Sequence, residues 1–581
     1  MAFLGEFRRD VPCLLNERGN ENPALLGIPL KGFFSAYAFD FPVEVEWTVV
    51  LAERIRLELR GKQSGYGTKV SFVILDVADR AKPLESFEHL DHFGQQPQAI
   101  DVTLATVRFI WIPVFLLGAG LRFLDLSEAP LHADEAVGAK ITAERLEGRG
   151  YFFDPSHFHG PALSWLASWS ARLAGENSFE DLDVLTLRGV AALCGSLIIL
   201  LPLLLRRWLK DIGALLGALL LATSPLLCFY SRVFIHEPLL ALVTAAALAC
   251  LGWWMSSPSR LAAVCGGLAL GLMAATKETF AIAACSWLIG LLVSGTKKST
   301  RELGIAAAFS LVAFLAVLLA AYGNPLSFFS TYAGYATDPG HAKPALYYWD
   351  LLITPKHRPP QWWSEAGVAA LALAGIWTAW RGANPFLRVL AVSAGVQFVV
   401  YSAISYKTPW LMVIPWMEVC LLAGVGVASM KHRRVFGLAL AGVVVFFQLQ
   451  QTYAAVFRFP NESRNPLVYS PTSSDIQRLR NRLDALKKNS AAFQEGRMAV
   501  LSNGYWPLPW YLRDTIPTGY FETMPEDLET YAVVIAMPEM AEESGQRLAA
   551  THDAFFQGLR HEVPVTVFVR RDIRAEELVA P

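Results

Sequence analysis

The chain has 581 residues, 54% of them hydrophobic and only 17% charged, with a mean hydropathy of +0.35. Soluble domains carry about a quarter charged residues, so this composition excludes an ordinary soluble protein and points to one large membrane unit with appendages. The formal net charge of −1 leaves nucleic-acid binding without electrostatic support.

Residues 1–101 form an N-terminal extension with no signal peptide, since no basic start leads into a short apolar core and a cleavage site. Segment 43–49 (VEVEWTV) alternates like a strand and 70–77 (VSFVILDV) is a second short apolar run. Two readings stand: a small cytosolic domain, or an artefact preceding a start near Val102. The intact mass of the native protein separates them.

Residues 102–453 carry the apolar excess. A membrane-spanning helix needs about 20 apolar residues, and candidates fall at 104–124, 187–205, 212–229, 239–255, 261–275, 280–293, 303–322, 366–380, 387–404, 410–430 and 435–453. The expectation is a mainly α, polytopic bundle of about eleven spans. Basic residues recur on alternate connections (Arg206, Arg207 and Lys210; Arg260; Lys297, Lys298 and Arg301; Arg381 and Arg388; Lys431, Arg433 and Arg434), which assigns that side to the cytoplasm. The seven cysteines show no metal-binding spacing; six lie in apolar runs and read as buried thiols.

The opposite side receives the polar groups placed unusually close to membrane. Asp134 and Glu135 head an amphipathic stretch, 135–147, about ten residues beyond the first apolar run. Asp134 is either a helix N-cap or a site carboxylate. His159-Gly160-Pro161 precedes a second amphipathic stretch, 162–173, and His159 is a site residue or a hydrogen-bonded spacer. Arg232, His236 and Glu237 stand before one span, as a structural ion pair or as part of the Asp134 site. Lys277-Glu278 separates two short apolar runs, and Tyr406-Lys407 completes an outward set of cations suited to a phosphate at a lipid surface. The loop 323–364 is rich in Tyr and Trp, as an interfacial belt or a sugar-covering loop.

Taken together, LHADEA (131–136), HGP (159–161), SRVFIHE (231–237), ATKET (275–279), YKTPWL (406–411) and WPLPWYLR (506–513) resemble the membrane glycosyltransferases of the GT-C fold. Within these, the chain is similar to the protein O-mannosyltransferase-like group (glycosyltransferase family 39), in its bacterial and archaeal flippase-activity-associated, mannosyltransferase-like subgroup. The resemblance implies a polyprenyl-phosphate sugar donor, a mannose-like hexose among the candidates, and a glycan or protein acceptor on the outer face of the plasma (inner) membrane. It implies inversion, with Asp134 as general base beside Glu135. His159, Arg232, His236, Glu237, Lys277, Tyr406 and Lys407 would bind substrate, Arg232 or Lys277 facing the leaving phosphate. Some relatives use a divalent cation, for which Glu135 and Glu237 would be the ligands. The rival reading is a non-catalytic flippase or transport component for lipid-linked sugars; the absence of a visible inverted repeat favours the enzyme.

Beyond 453 the chain turns polar. Segments 498–502, 531–536 and 563–569 read as strands and 473–489 and 539–559 as helices, a small extracytoplasmic α/β domain spanning 454–581. Its WPLPWYLR segment is a packing plug or an acceptor-holding loop.

Overall fold

The computed structural model describes residues 27–31, 46–50, 58–64, 67–73, 102–149, 159–323, 341–430 and 433–573. The chain divides into two compact units, Met1–Ala99 and Ile100–Pro581. In the first, β1 (Gly27–Lys31) pairs antiparallel with β2 (Glu46–Val50), and β3 (Glu58–Ser64) with β4 (Gly67–Val73). The strands expected at 43–49 and 70–77 overlap β2 and β4; their remaining residues lie outside the described ones.

The second unit is a helical bundle with a sheet at its C-terminal end. It opens with α1 (Val102–Phe123), α2 (Ala133–Leu146) and α3 (Ala162–Ala174). Next come α4 (Val184–Leu197), α5 (Asp211–Thr223), α6 (Pro225–Tyr230), α7 (His236–Ser256), α8 (Arg260–Thr276), α9 (Phe280–Val293) and α10 (Thr300–Tyr322). After the short α11 (Tyr347–Leu352) and the hairpin β5 (Lys356–Arg358)–β6 (Gln361–Trp363), the bundle closes with α12 (Ala366–Arg381), α13 (Pro385–Ala403), α14 (Val413–Ser429) and α15 (Arg434–Tyr453). Asp183, Ser224, Ser259, Ser299 and Asn384 each accept a backbone N–H at a helix start, so local sequence sets those boundaries.

All eleven apolar runs are helical, but six are long and apolar enough to cross a membrane: Val184–Leu204, His236–Ser256, Thr300–Tyr322, Pro385–Ala403, Pro409–Ser429 and Arg434–Arg458. The others are shorter apolar helices, Ile110–Phe123, Asp211–Thr223, Arg260–Thr276, Phe280–Val293 and Ala366–Arg381. With α10 mostly exposed and Pro409–Ser429 mostly buried, the bundle has an apolar outer surface around a central helix, as a lipid-embedded protein requires. Close approach of α12 and α14 depends on Gly375 and Gly426: a Cβ on either would come within about 2 Å of a facing backbone carbonyl, that of Leu422 or Leu371. One cluster of buried polar groups inside the bundle centres on a carboxylate. Glu418 accepts from Trp287 Nε1 at 3.1 Å, Ser393 Oγ at 2.9 Å and Gln397 Nε2 at 3.0 Å.

The C-terminal sheet has the order β10 (His552–Arg560), β11 (Val563–Arg570), β9 (Val533–Ala536), β7 (Met498–Leu501), β8 (Thr518–Phe521). Strands β8, β7 and β9 run parallel; β11 and β10 add antiparallel. Helix α16 (Asp475–Asn489) packs against β10, while α17 (Leu508–Leu512) and α18 (Pro538–Leu548) follow β7 and β9. The expected helix at 539–559 is corrected: it stops at Leu548, and His552–Arg560 pairs with β11 because its alternating residues form one face of an edge hairpin. Strand β8 escaped the sequence reading, being four residues of modest apolarity. The sheet and the bundle belong to one compact unit.

Candidate active site

Asp134 and Glu135, adjacent in sequence, have opposite surroundings. Helix α2 begins at Ala133 and is capped by His132, whose Nδ1 accepts the Asp134 N–H at 3.1 Å. The N-cap reading of Asp134 is therefore corrected: the cap is two residues earlier, at His132, and Asp134 lies in the first turn with its side chain 54% exposed. A carboxylate there is favoured by the positive end of the helix dipole.

Glu135 is 1% exposed and lies against Arg188 of α4, which donates from Nε to Oε1 and from a terminal nitrogen to Oε2, both at 2.8 Å. The N–H of His132 completes a capping box to Oε2, and the N–H of Phe234 reaches Oε1, each at 2.8 Å. Burial alone would raise this carboxyl; the Arg188 charge and hydrogen bonds, with the Phe234 and His132 N–H groups, bring it below its ordinary value. With both oxygens engaged, Glu135 locks α2 to α4 and to the 231–235 turn. The remaining Arg188 N–H groups donate to the carbonyls of Leu126, Ala129 and Pro130, fixing the approach to α2.

The second cluster forms where the HGP turn meets the α8–α9 turn. Gly160 N–H donates to Thr276 O at 3.2 Å, and a Cβ at Gly160 would lie 2.0 Å from Ala275 O, so only glycine permits this approach. His159 Nδ1 thereby comes 3.0 Å from Glu278 Oε2, with the His236 ring edge-on to His159 at 4.7 Å between centroids. Burial opposes ionisation of Glu278, but the His159 charge and hydrogen bond, with Lys277 beside it, pull its carboxyl down to about 2. Lys277 Nζ donates to Glu237 Oε1 at 2.5 Å, both side chains being buried.

Tyr406 joins the two clusters. It lies within electrostatic reach of Lys277, Asp134 and Glu237, and burial, aided by the two carboxylates and opposed by Lys277, pushes its hydroxyl up to about 12. Its segment pairs with 341–343: Lys407 N–H donates to His341 O at 3.0 Å, and the Tyr406 ring meets His341 edge-on. Of the loop 323–364, residues 324–340 lie outside the described ones.

Three expectations need correction. Arg232 does not pair with Glu237; its guanidinium donates to the carbonyls of Leu121, Arg122, Leu124 and Asp125, capping the C-terminal end of α1. Lys407 is not an outward cation, because its ammonium is buried on the carbonyls of Lys343 and Ile404. Glu135 and Glu237 do not fit a divalent cation: each carboxylate is taken by a cation of the protein, and no group of three or more metal-ligating side chains occurs among the described residues.

Beside α2 opens a cavity of about 210 Å³, walled by Tyr230, Trp410, Phe457 and Tyr469, with Arg232 and His132 at its polar side. His132 and Glu135, which flank Asp134 in sequence, line this cavity, and Asp134 in turn lies within electrostatic reach of Tyr406.

The segment 158–322, which contains the HGP and α8–α9 turns, matches the family model described as dolichyl-phosphate-mannose-protein mannosyltransferase. The chain superposes on ArnT from Cupriavidus metallidurans in the apo state with a TM-score of 0.57 at 16% identity, covering 80% of this chain and 99% of that one. With the same protein bound to undecaprenyl phosphate, the TM-score is 0.53 at 16% identity, covering 81% and 98%. With the oligosaccharyltransferase AglB from Archaeoglobus fulgidus, in complex with an inhibitory peptide and a dolichol-phosphate, it is 0.51 at 12% identity, covering 78% and 73%. The chain has the GT-C fold of these membrane proteins. No curated protein matches the sequence.

Several residues of the candidate site carried no sequence signal. Arg188 looks like one more charge near a span start, and only its burial against Glu135 shows its purpose. His132 was visible inside LHADEA but not as the cap. Tyr469 and His341 bond side chain to side chain across 128 residues, a separation that no local pattern reports. WPLPWYLR behaves as a packing element: Leu131 N–H donates to Tyr511 Oη at 2.8 Å, and Arg513 donates to Leu182 O at 3.2 Å.

Proposed function

We propose that this protein transfers a sugar from a polyprenyl-phosphate carrier to a glycan or protein acceptor at the outer face of the plasma membrane, with Asp134 as general base. The observation that carries this reading is the division within the acid pair. Glu135 is consumed in fixing α2, which leaves Asp134 as an exposed carboxylate on a rigid helix start, within electrostatic reach of Tyr406 and beside an aromatic cavity.

The step balances on these groups. An acceptor O–H gives its proton to Asp134 while its oxygen attacks the anomeric carbon; the anomeric C–O bond to phosphate breaks from the opposite face, and the lipid phosphate leaves with the electron pair. Lys277 supplies positive charge at the leaving-group end, with the edge-on rings of His159 and His236 on the adjoining elements. Carrier phosphates in the ArnT and AglB complexes support a lipid-phosphate donor here, and the mannosyltransferase family match makes a mannose-like hexose the first sugar to test.

Purified protein in lipid nanodiscs, given polyprenyl-phosphate hexoses and a panel of hydroxyl acceptors, tests the reading. Asp134→Asn is expected to lower turnover by about 100-fold or more, the range for loss of a general base. Full turnover in the variant would remove Asp134 from that role. A wild type that moves lipid-linked sugar across vesicles but never transfers it would establish the transport reading instead.

A further inference from the structure

Resting on the assignment of Asp134 as base, we propose that His132 is its positioning residue. In this role Tyr469 O holds the imidazole as the Nε2–H tautomer, so that the ring caps α2 while donating nothing to the Asp134 carboxylate.

The commonest N-caps are Ser, Thr, Asp and Asn, any of which accepts a first-turn N–H. Histidine at this position adds a second nitrogen, and here that nitrogen is used. The Asp134 N–H donates to Nδ1 at 3.1 Å, so Nδ1 carries a lone pair. A neutral imidazole then has its proton on Nε2, and Nε2 lies 3.1 Å from the Tyr469 carbonyl, which can only accept. Both contacts are satisfied by one tautomer and broken by the other.

That choice governs the base, because Nδ1 lies 3.8 Å from Asp134 Oδ2. A ring protonated on Nδ1 would swing a donor onto the carboxylate, occupying the oxygen that must receive the acceptor's proton, and would lose the cap as well. With the proton drawn to Tyr469, no donor among the described residues hydrogen-bonds to either Asp134 oxygen.

The surroundings hold the ring in place. Trp410 meets His132 edge-on at 6.1 Å and meets Tyr469 at 5.4 Å and Tyr230 at 5.9 Å. The Tyr469 hydroxyl in turn bonds His341, on the segment that pairs with Tyr406. The tether therefore links the base to the cavity wall.

Imidazole ¹⁵N spectra of the full chain, histidine-labelled in nanodiscs and assigned by subtraction of His132→Asn, read the tautomer directly. A protonated Nε2 with a bare Nδ1 is expected; a protonated Nδ1 overturns the proposal. His132→Asn keeps a capping oxygen but cannot reach Tyr469, and should lower kcat by about 10-fold or more with donor KM and Tm little changed, the range for loss of an orienting partner. Wild-type kcat in this variant would mean that capping alone suffices, and would also overturn the proposal. If wild type shows no turnover with any donor, the base assignment falls and base positioning falls with it, while the spectra still decide whether the tether exists.

Discussion

Whether a charge in this site acts or anchors depends on how many of its hydrogen-bond positions the fold has already filled. Glu135 is filled completely, and Arg188 has no role the structure shows beyond that carboxylate and the three carbonyls before α2. Removing one partner leaves an uncompensated buried charge, which is worse than removing both. Arg188→Met is therefore expected to destabilise the protein by about 3–5 kcal/mol, and Glu135→Gln combined with Arg188→Met by clearly less, both followed by thermal unfolding in one detergent. The double variant should also lose turnover, since α2 then loses its charged anchor to α4. A single variant as stable as wild type would mean that the pair does not anchor the helix.

Two turns, HGP and the one between α8 and α9, make the second half of the site by touching each other. Gly160 permits the contact, so Gly160→Ala should force the turns apart, lowering Tm and activity together, whereas Gly189→Ala, with nothing near its Cβ, should change neither. The same contact predicts a pH dependence. Glu278 titrates near 2 in the folded chain against an ordinary 4.5, so its pairing with His159 contributes stability that is complete above about pH 4.5 and is lost as pH falls toward 2. The Tm gap between wild type and Glu278→Gln should accordingly narrow across that window; a constant gap would show that the carboxylate's charge is irrelevant there. At this scale the sequence was informative about which turns matter, because polar residues between apolar runs are conspicuous. It was misleading about partners: Arg232 beside Glu237 suggested a local ion pair, yet each found its counterpart on another element, the carbonyl end of α1 and Lys277. Sequence distance says little about pairing once helices are packed side by side.

Across the whole molecule, the helical pattern, the strand-bearing C-terminal region and the polar end of the bundle were legible from hydropathy and composition, because apolar runs of this length have few other solutions. What composition left undecided was how the C-terminal region bears on the site, and the structure ties the two at one residue. Leu131, immediately before the His132 cap, has its N–H on Tyr511 Oη at 2.8 Å and its carbonyl on Thr472 Oγ1 at 2.7 Å. Both backbone groups of the residue leading into α2 are thus satisfied from beyond residue 471. Tyr511→Phe removes one donor–acceptor pair without altering the cavity, whose walls do not include Tyr511. A buried N–H left without a partner costs about 1–3 kcal/mol, and the strain falls on the chain entering α2. Hydrogen exchange at the amides of 131–135 should therefore speed up in Tyr511→Phe while exchange in α14 stays at wild-type rates, and turnover should fall in proportion. Unchanged exchange at 131–135 would show that the C-terminal region merely covers the bundle; faster exchange there would make it part of the apparatus that holds Asp134.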